Sequence, residues 1–142
     1  MKPYVKISLF VVFFLAVSGI LAALYFYNLK PKDLHKVKPN FVISATGIQK
    51  AFELNERAAS EKYINKIIEV SVEIGSVKKG GNNSMNVLLN TGSELSSVIC
   101  TFPTVSDSAL FKTGRQITIR GVCSGFLMDV LLNNCAVVEN PK

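Results

Sequence analysis

Few side chains in this 142-residue chain are of the types that do chemistry, and fewer are spaced for it. The single histidine, His35, stands in a lysine- and proline-rich stretch and has no serine or acid in a nucleophile-activating pattern around it. The three cysteines, Cys100, Cys123 and Cys135, lack both the C-x-x-C spacing of a redox pair and any metal-ligand spacing. No glycine-rich phosphate loop follows a strand-like run, and the carboxylates are scattered among lysines. These absences predict a protein that is not an enzyme and that takes no metal or cofactor. What remains is chemistry of contact.

The contact candidates fall into two groups. Lys78 and Lys79 precede Gly80-Gly81-Asn82-Asn83, where they read as a basic hairpin turn or as plain solvated lysines. The outward positions of the next two strand-like runs are Asn86, Leu88 and Asn90, then Ile99 and Thr101, an uncharged face with no ring. Phe126-Leu127-Met128 is unusually apolar for a turn, and reads either as a contact patch or as a plug for a barrel end. The candidate ligand-binding residues are therefore Lys78, Lys79, Asn86, Thr101 and Phe126. Cys123 and Cys135 fall on the two arms of one hairpin, a candidate disulfide pair if the register brings them opposite each other. The other reading is three small buried hydrophobes.

These residues need elements to hold them. The net charge of +6 is uneven: residues 1–38 carry six lysines and one acid, and residues 39–142 carry ten basic and nine acidic side chains. Between Lys6 and Lys30 there is no charge, and Ile7–Leu29 is almost wholly apolar. A helix of that length crosses a hydrocarbon core of about 30 Å. Tyr4 at one end and Tyr25 and Tyr27 at the other suit the headgroup level. A signal-peptide cut after Ala16-Val17-Ser18 would leave a greasy new terminus, and no cysteine adjoins the span to carry a lipid. The expectation is a single-pass anchor in the lipid bilayer. A count of flanking lysines favours a cytoplasmic domain, whereas a lysine-flanked first segment ahead of a folded domain favours export. An extracytoplasmic domain is the reading adopted.

The expected organisation is a short basic tail (1–6), a transmembrane helix (7–29), a basic Pro/Lys linker (30–43) and a folded domain (44–140). Thr46 with Gln49 fits a capping box, and apolar spacing predicts one amphipathic helix on to Asn65, with Asn55 on its apolar stripe in a capping role. From Ile68 the period becomes two, through Val70, Val72 and Ile74. Gly75 interrupts the alternation and Val77 resumes it out of phase, which predicts a bulge. Strands follow around Met85–Leu89 and Val98–Phe102, then a short helix or helical turn over 106–112. Two last strands run through Ile117–Cys123 and Val130–Val137, with a hairpin at 124–129.

Three strands, a short helix and two more strands is the order of a five-stranded OB-fold barrel. The fold class expected is mainly β, an OB-fold barrel preceded by an amphipathic helix and an N-terminal transmembrane helix. Residues 44–138 resemble the tRNA-anticodon-like OB-fold family of small bacterial proteins. The resemblance rests on Ala51-Phe52, Asn55-Glu56, Ala59 and Lys62-Tyr63 in the helix, and on Ile68-Glu69-Val70. It continues in Val98, Cys100 and Phe102, in Gly121, Cys123 and Gly125, and in Val130, Leu132 and Cys135. It implies the fold, and the shape alone does not imply binding to tRNA.

The function expected is a membrane-anchored OB-fold interaction module for a protein, peptide or glycan. The alternative is a module for single-stranded nucleic acid, which needs a basic groove and aromatic platforms. The near-neutral charge of residues 39–142 makes the counterion-release contribution to such binding small.

Overall fold

The computed structural model describes residues 2–29, 32–105 and 107–138. It divides into two units, Met1–Lys32 and Asp33–Lys142. The first is one α-helix, α1 (Pro3–Tyr27). Pro3 opens it where a missing N–H costs nothing, so the helix starts four residues before the apolar run. At 1.5 Å per residue it is about 37 Å long, long and apolar enough to cross a membrane.

The second unit is a closed barrel with helices over one end. Its elements are β1 (Phe41–Val42), α2 (Ala45–Leu54), α3 (Glu56–Tyr63), β2 (Ile67–Lys79), β3 (Met85–Leu89), β4 (Val98–Phe102), a 3-10 turn (Ser108–Leu110), β5 (Gln116–Leu127) and β6 (Asp129–Val138). The sheet runs β1-β2-β3-β4-β6-β5 and closes by pairing β5 with β2. β1 and the closing β4–β6 contact are parallel to their neighbours; the other pairings are antiparallel. The five strands β2 to β6 form the expected OB-type barrel.

The bulge falls where the alternation broke. β2 pairs with β5 from Ile67 to Glu73 and with β3 from Ile74 to Lys79, and its register against β3 shifts between Ile74 and Ser76. At Gly75 a Cβ would stand 3.2 Å from the Leu88 carbonyl oxygen, so the strands approach too closely for a comfortable side chain. Inward residues of β2 through β6 (Val70, Ile74, Val87, Val98, Ile119 and Leu132 among them) are completely shielded from solvent. Each such aliphatic burial is worth about 1.5–3 kcal/mol.

The helical segment is two helices. Ser44 caps α2 by accepting from the Gly47 N–H, the place expected of Thr46. Thr46 instead donates to the Thr91 carbonyl. Asn55 leaves helical geometry at φ −157° and caps α3 through its side-chain oxygen, which accepts from the Ala58 N–H at 3.0 Å. An Asn that bonds its own backbone ends one helix and begins the next. β1 went unrecognised because two residues show no period. Of the two forms expected over 106–112, the structure has the helical turn, a 3-10 turn with Phe111 against Phe102, and Ser106 lies outside the described residues.

The segment leading into the barrel is pinned to it from Asp33 onward. Leu34 is buried. Arg120 donates from Nη1 to the carbonyls of His35 and Val37 while its Nε meets Glu69 at 2.6 Å. His35 is exposed and bonds through its backbone to Asp33.

The last hairpin is tighter than the sequence indicates. β5 reaches Leu127, β6 starts at Asp129, and Met128 takes φ +68° between them. Because the hairpin turns about Met128, and a register shift between Cys123 and Gly125 moves the pairing by one more residue, Cys123 faces Leu132, three residues short of Cys135. Cys135 lies against Gly121, where a Cβ would come within 2.6 Å of its Sγ. All three cysteines are free and buried, so the structure contains no Cys123–Cys135 bridge. Gly121→Ala should therefore destabilise the barrel by about 1–3 kcal/mol, read as a lowered thermal midpoint. The loss should shrink when Cys135→Ala is made in the same chain, because the two positions share one space.

Candidate functional site

The sheet register brings three of the candidate residues into one row. Lys78 of β2 faces Asn86 of β3, which faces Thr101 of β4. The residues flanking Asn86 and Thr101 (Met85 and Val87, Cys100 and Phe102) are buried and Val77 packs against the core, so the row lies on the outer face. The Thr101 hydroxyl donates to Asn86 Oδ1 at 2.9 Å. That bond fixes the amide and leaves its nitrogen as a donor with no partner among the described residues. Lys78 and Lys79 are exposed, and both belong to β2 and not to the turn. Lys79 also lines a depression of about 220 Å³ with Asn83, Ser84 and Ser108.

Beside this row runs an aliphatic one. Leu88, Ile99 and Leu131 are register partners on β3, β4 and β6, and each is only half-buried. The outer face of β3 and β4 is therefore amphipathic, with Lys, Asn and Thr along one line and three aliphatic side chains along the next.

Phe126 does not join it. Its ring is half-buried and stacks on Phe52 of α2 with centroids 5.4 Å apart, at the opposite end of the barrel from Lys79. The apolar tip thus divides: Phe126 plugs the barrel end, while Leu127 and Met128 remain exposed. The other rings of this unit are committed too. Phe41 meets Tyr63, Phe52 meets Tyr63, and Phe102 meets Phe111, with centroids 4.8–6.2 Å apart.

At the Phe126 end, two polar links hold three segments together. Ser96 donates its hydroxyl to Glu53, and the Gln49 amide nitrogen donates to both. Ser97 donates its N–H and its hydroxyl to Asp129 Oδ1, at 2.7 and 2.9 Å. The Ser96 and Gln49 bonds hold the Glu53 carboxyl below its ordinary value, with a smaller push from Lys50. Sequence reading gave Gln49 a capping role because periodicity cannot show which loop a helix meets.

The Cys100 and Cys123 thiols are poor nucleophiles. Burial raises the Cys100 pKa, reinforced by contact with Cys135, and burial also raises that of Cys123. Among the described residues no group of His, Cys, Asp and Glu is placed to hold a metal ion.

The tRNA_anti-like family model matches residues 1–137. The chain belongs to the tRNA_anti-like family. Among solved structures it is similar to a candidate nucleic acid-binding lipoprotein from Klebsiella pneumoniae, with 21% identity, a TM-score of 0.58, and coverage of 78% of this chain and 100% of that one. A candidate aspartyl-tRNA synthetase from Leishmania major is more distant, at 11% identity and a TM-score of 0.44 over 78% of this chain and 23% of that one. No curated protein matches. At 21% identity the tRNA_anti-like chain shares a fold with the Klebsiella protein, whose ligand is its own.

The Glu53 pKa is lowered in the folded chain, so its bonds stabilise the fold above the usual carboxylate range and that contribution fades as pH falls through it. Glu53→Gln should flatten the acid limb of a thermal-midpoint-against-pH curve and leave the neutral and alkaline part parallel to that of the parent.

Proposed function

We propose that this tRNA_anti-like chain is a membrane-anchored interaction module, with α1 as a retained single-pass anchor and the barrel on the extracytoplasmic side. The barrel binds a protein, peptide or glycan through the outer face of β2, β3 and β4. Lys78, Asn86 and Thr101 supply polar contacts there, with Lys79 at the rim, and Leu88, Ile99 and Leu131 supply apolar area.

One observation carries the reading. All six rings of the barrel unit are engaged with one another, so none stands free on the β3–β4 face as a platform for a base. Modules that hold single strands draw about 1–3 kcal/mol per base from such platforms. The same face carries a single cation in its polar row, which suits hydrogen bonding to peptide carbonyls or sugar hydroxyls better than tracking a phosphate backbone.

The nucleic-acid reading is favoured by the description of the Klebsiella neighbour, and one titration separates the two. Full-length protein in phosphatidylcholine nanodiscs should leave the anisotropy of labelled single-stranded DNA and RNA unchanged, at low salt as at physiological salt. Binding that weakens steadily with added salt would replace this reading with the nucleic-acid one. In native membranes a photocrosslinking side chain at Ile99 should yield a protein or glycan adduct that Lys78→Glu and Asn86→Ala diminish.

A further inference from the structure

We propose that the α2-capped end of the barrel is a second docking surface, and that it takes a basic amphipathic peptide segment of a partner protein. Among the described residues of the second unit, five large apolar side chains are exposed: Val42, Leu54, Leu95, Leu127 and Met128. Four of these five belong to this one end. Leu54 follows Glu53, and Leu95 precedes Ser96, the residue bonded to Glu53. Leu127 and Met128 precede Asp129, the residue bonded to Ser97. The two links that tie α2, the β3–β4 loop and the β5–β6 tip together thus bring to one end four apolar side chains from three segments. Each is at least three-quarters exposed.

The gathering is not needed for the core, because Phe126 and Phe52 already fill the barrel end beneath it. Exposed apolar side chains that cluster mark contact surfaces, whereas scattered ones need no explanation.

The rim states the chemistry of the occupant. Glu53, Glu56, Glu94 and Asp129 all adjoin the patch in sequence. The cations on the same helices are Lys50, a turn before Glu53, Arg57, ion-paired with Glu61 at 3.6 Å, and Lys62, whose ammonium lies over the Phe41 and Tyr63 rings. An apolar centre in a carboxylate rim complements a segment with a leucine-like face and lysine or arginine flanks. The rim also disfavours an anionic lipid surface. Gln49 Oε1, in the Glu53–Ser96 network, is buried and has no hydrogen-bond partner among the described residues.

The surface is separate from the β3–β4 face, and its test is independent. Full-length protein in phosphatidylcholine nanodiscs is titrated with two labelled synthetic amphipathic peptides of equal length and identical leucine placement, one bearing lysines and the other glutamates. Binding to empty nanodiscs is subtracted. The lysine peptide should bind at least about tenfold more tightly than the glutamate peptide. Leu95→Ser and the Leu127→Ser, Met128→Ser double variant should each weaken it by about three- to tenfold, and Glu94→Lys should weaken it as well. All these positions are exposed, so an unchanged thermal midpoint verifies that the variants fold. Lys78→Glu, on the other face, should leave the affinity unaltered. Equal affinity for the two peptides, indifference to the variants, or a signal no greater than that of empty nanodiscs would overturn the proposal. So would a dimer in sedimentation that the Leu127, Met128 double variant dissolves, since the occupant would then be a second copy.

Discussion

β2 is hydrogen-bonded to β5 along its first seven residues and to β3 from Ile74 onward, and the exchange of partners happens at Gly75. A strand long enough to reach both neighbours would stay in one flat sheet unless it bent. The bulge supplies the bend, and the close approach of the Leu88 carbonyl makes glycine the residue that fits. The parallel contact of β4 with β6 then closes the ring, leaving inward side chains dry and outward ones as the only surface.

Closure also decides what the surface can offer. A small barrel must be stoppered at both ends. Here Phe52, Tyr63 and Phe126 stopper one end beneath α2 and α3, and Phe102 with Phe111 stopper the other. Rings used in this way are worth about 0.5–1.5 kcal/mol per pair beyond the area they bury, but they are lost to recognition. Amides, hydroxyls, aliphatic side chains and few cations remain on the outer faces. Family membership and the likeness to a solved structure describe the container; the distribution of rings and charges on this chain describes what it can hold.

The two polar links at the helix-capped end show how binding surfaces can arise without a motif. Glu53, Ser96, Ser97 and Asp129 come from three segments, and their bonds fix loop positions more than they stabilise the core. Fixing those loops sets Leu54, Leu95, Leu127 and Met128 in the open at a common end. The Arg120 contacts do similar work on the flank, where a charge pair and two carbonyls hold the entering chain against β2 and β5.

Properties that depend on near neighbours in the chain were legible in the sequence. The apolar run of α1, the period-two strands, the break at Gly75, the capping role of Asn55 and the five-stranded order all follow from spacing within a dozen residues. The structure alone decided whatever depends on residues far apart. Registry set Cys123 opposite Leu132 and Cys135 against Gly121, and no count of intervening residues reveals that the hairpin turns about Met128. Registry also aligned Lys78, Asn86 and Thr101 in one row and sent Phe126 to the other end. Gln49 read as a cap and became the bridge to Ser96, because a helix periodicity names the buried face but not what buries it. The physical reason is the same in each case: sequence periodicity fixes which way a side chain points, and only the closing of the barrel fixes what it meets.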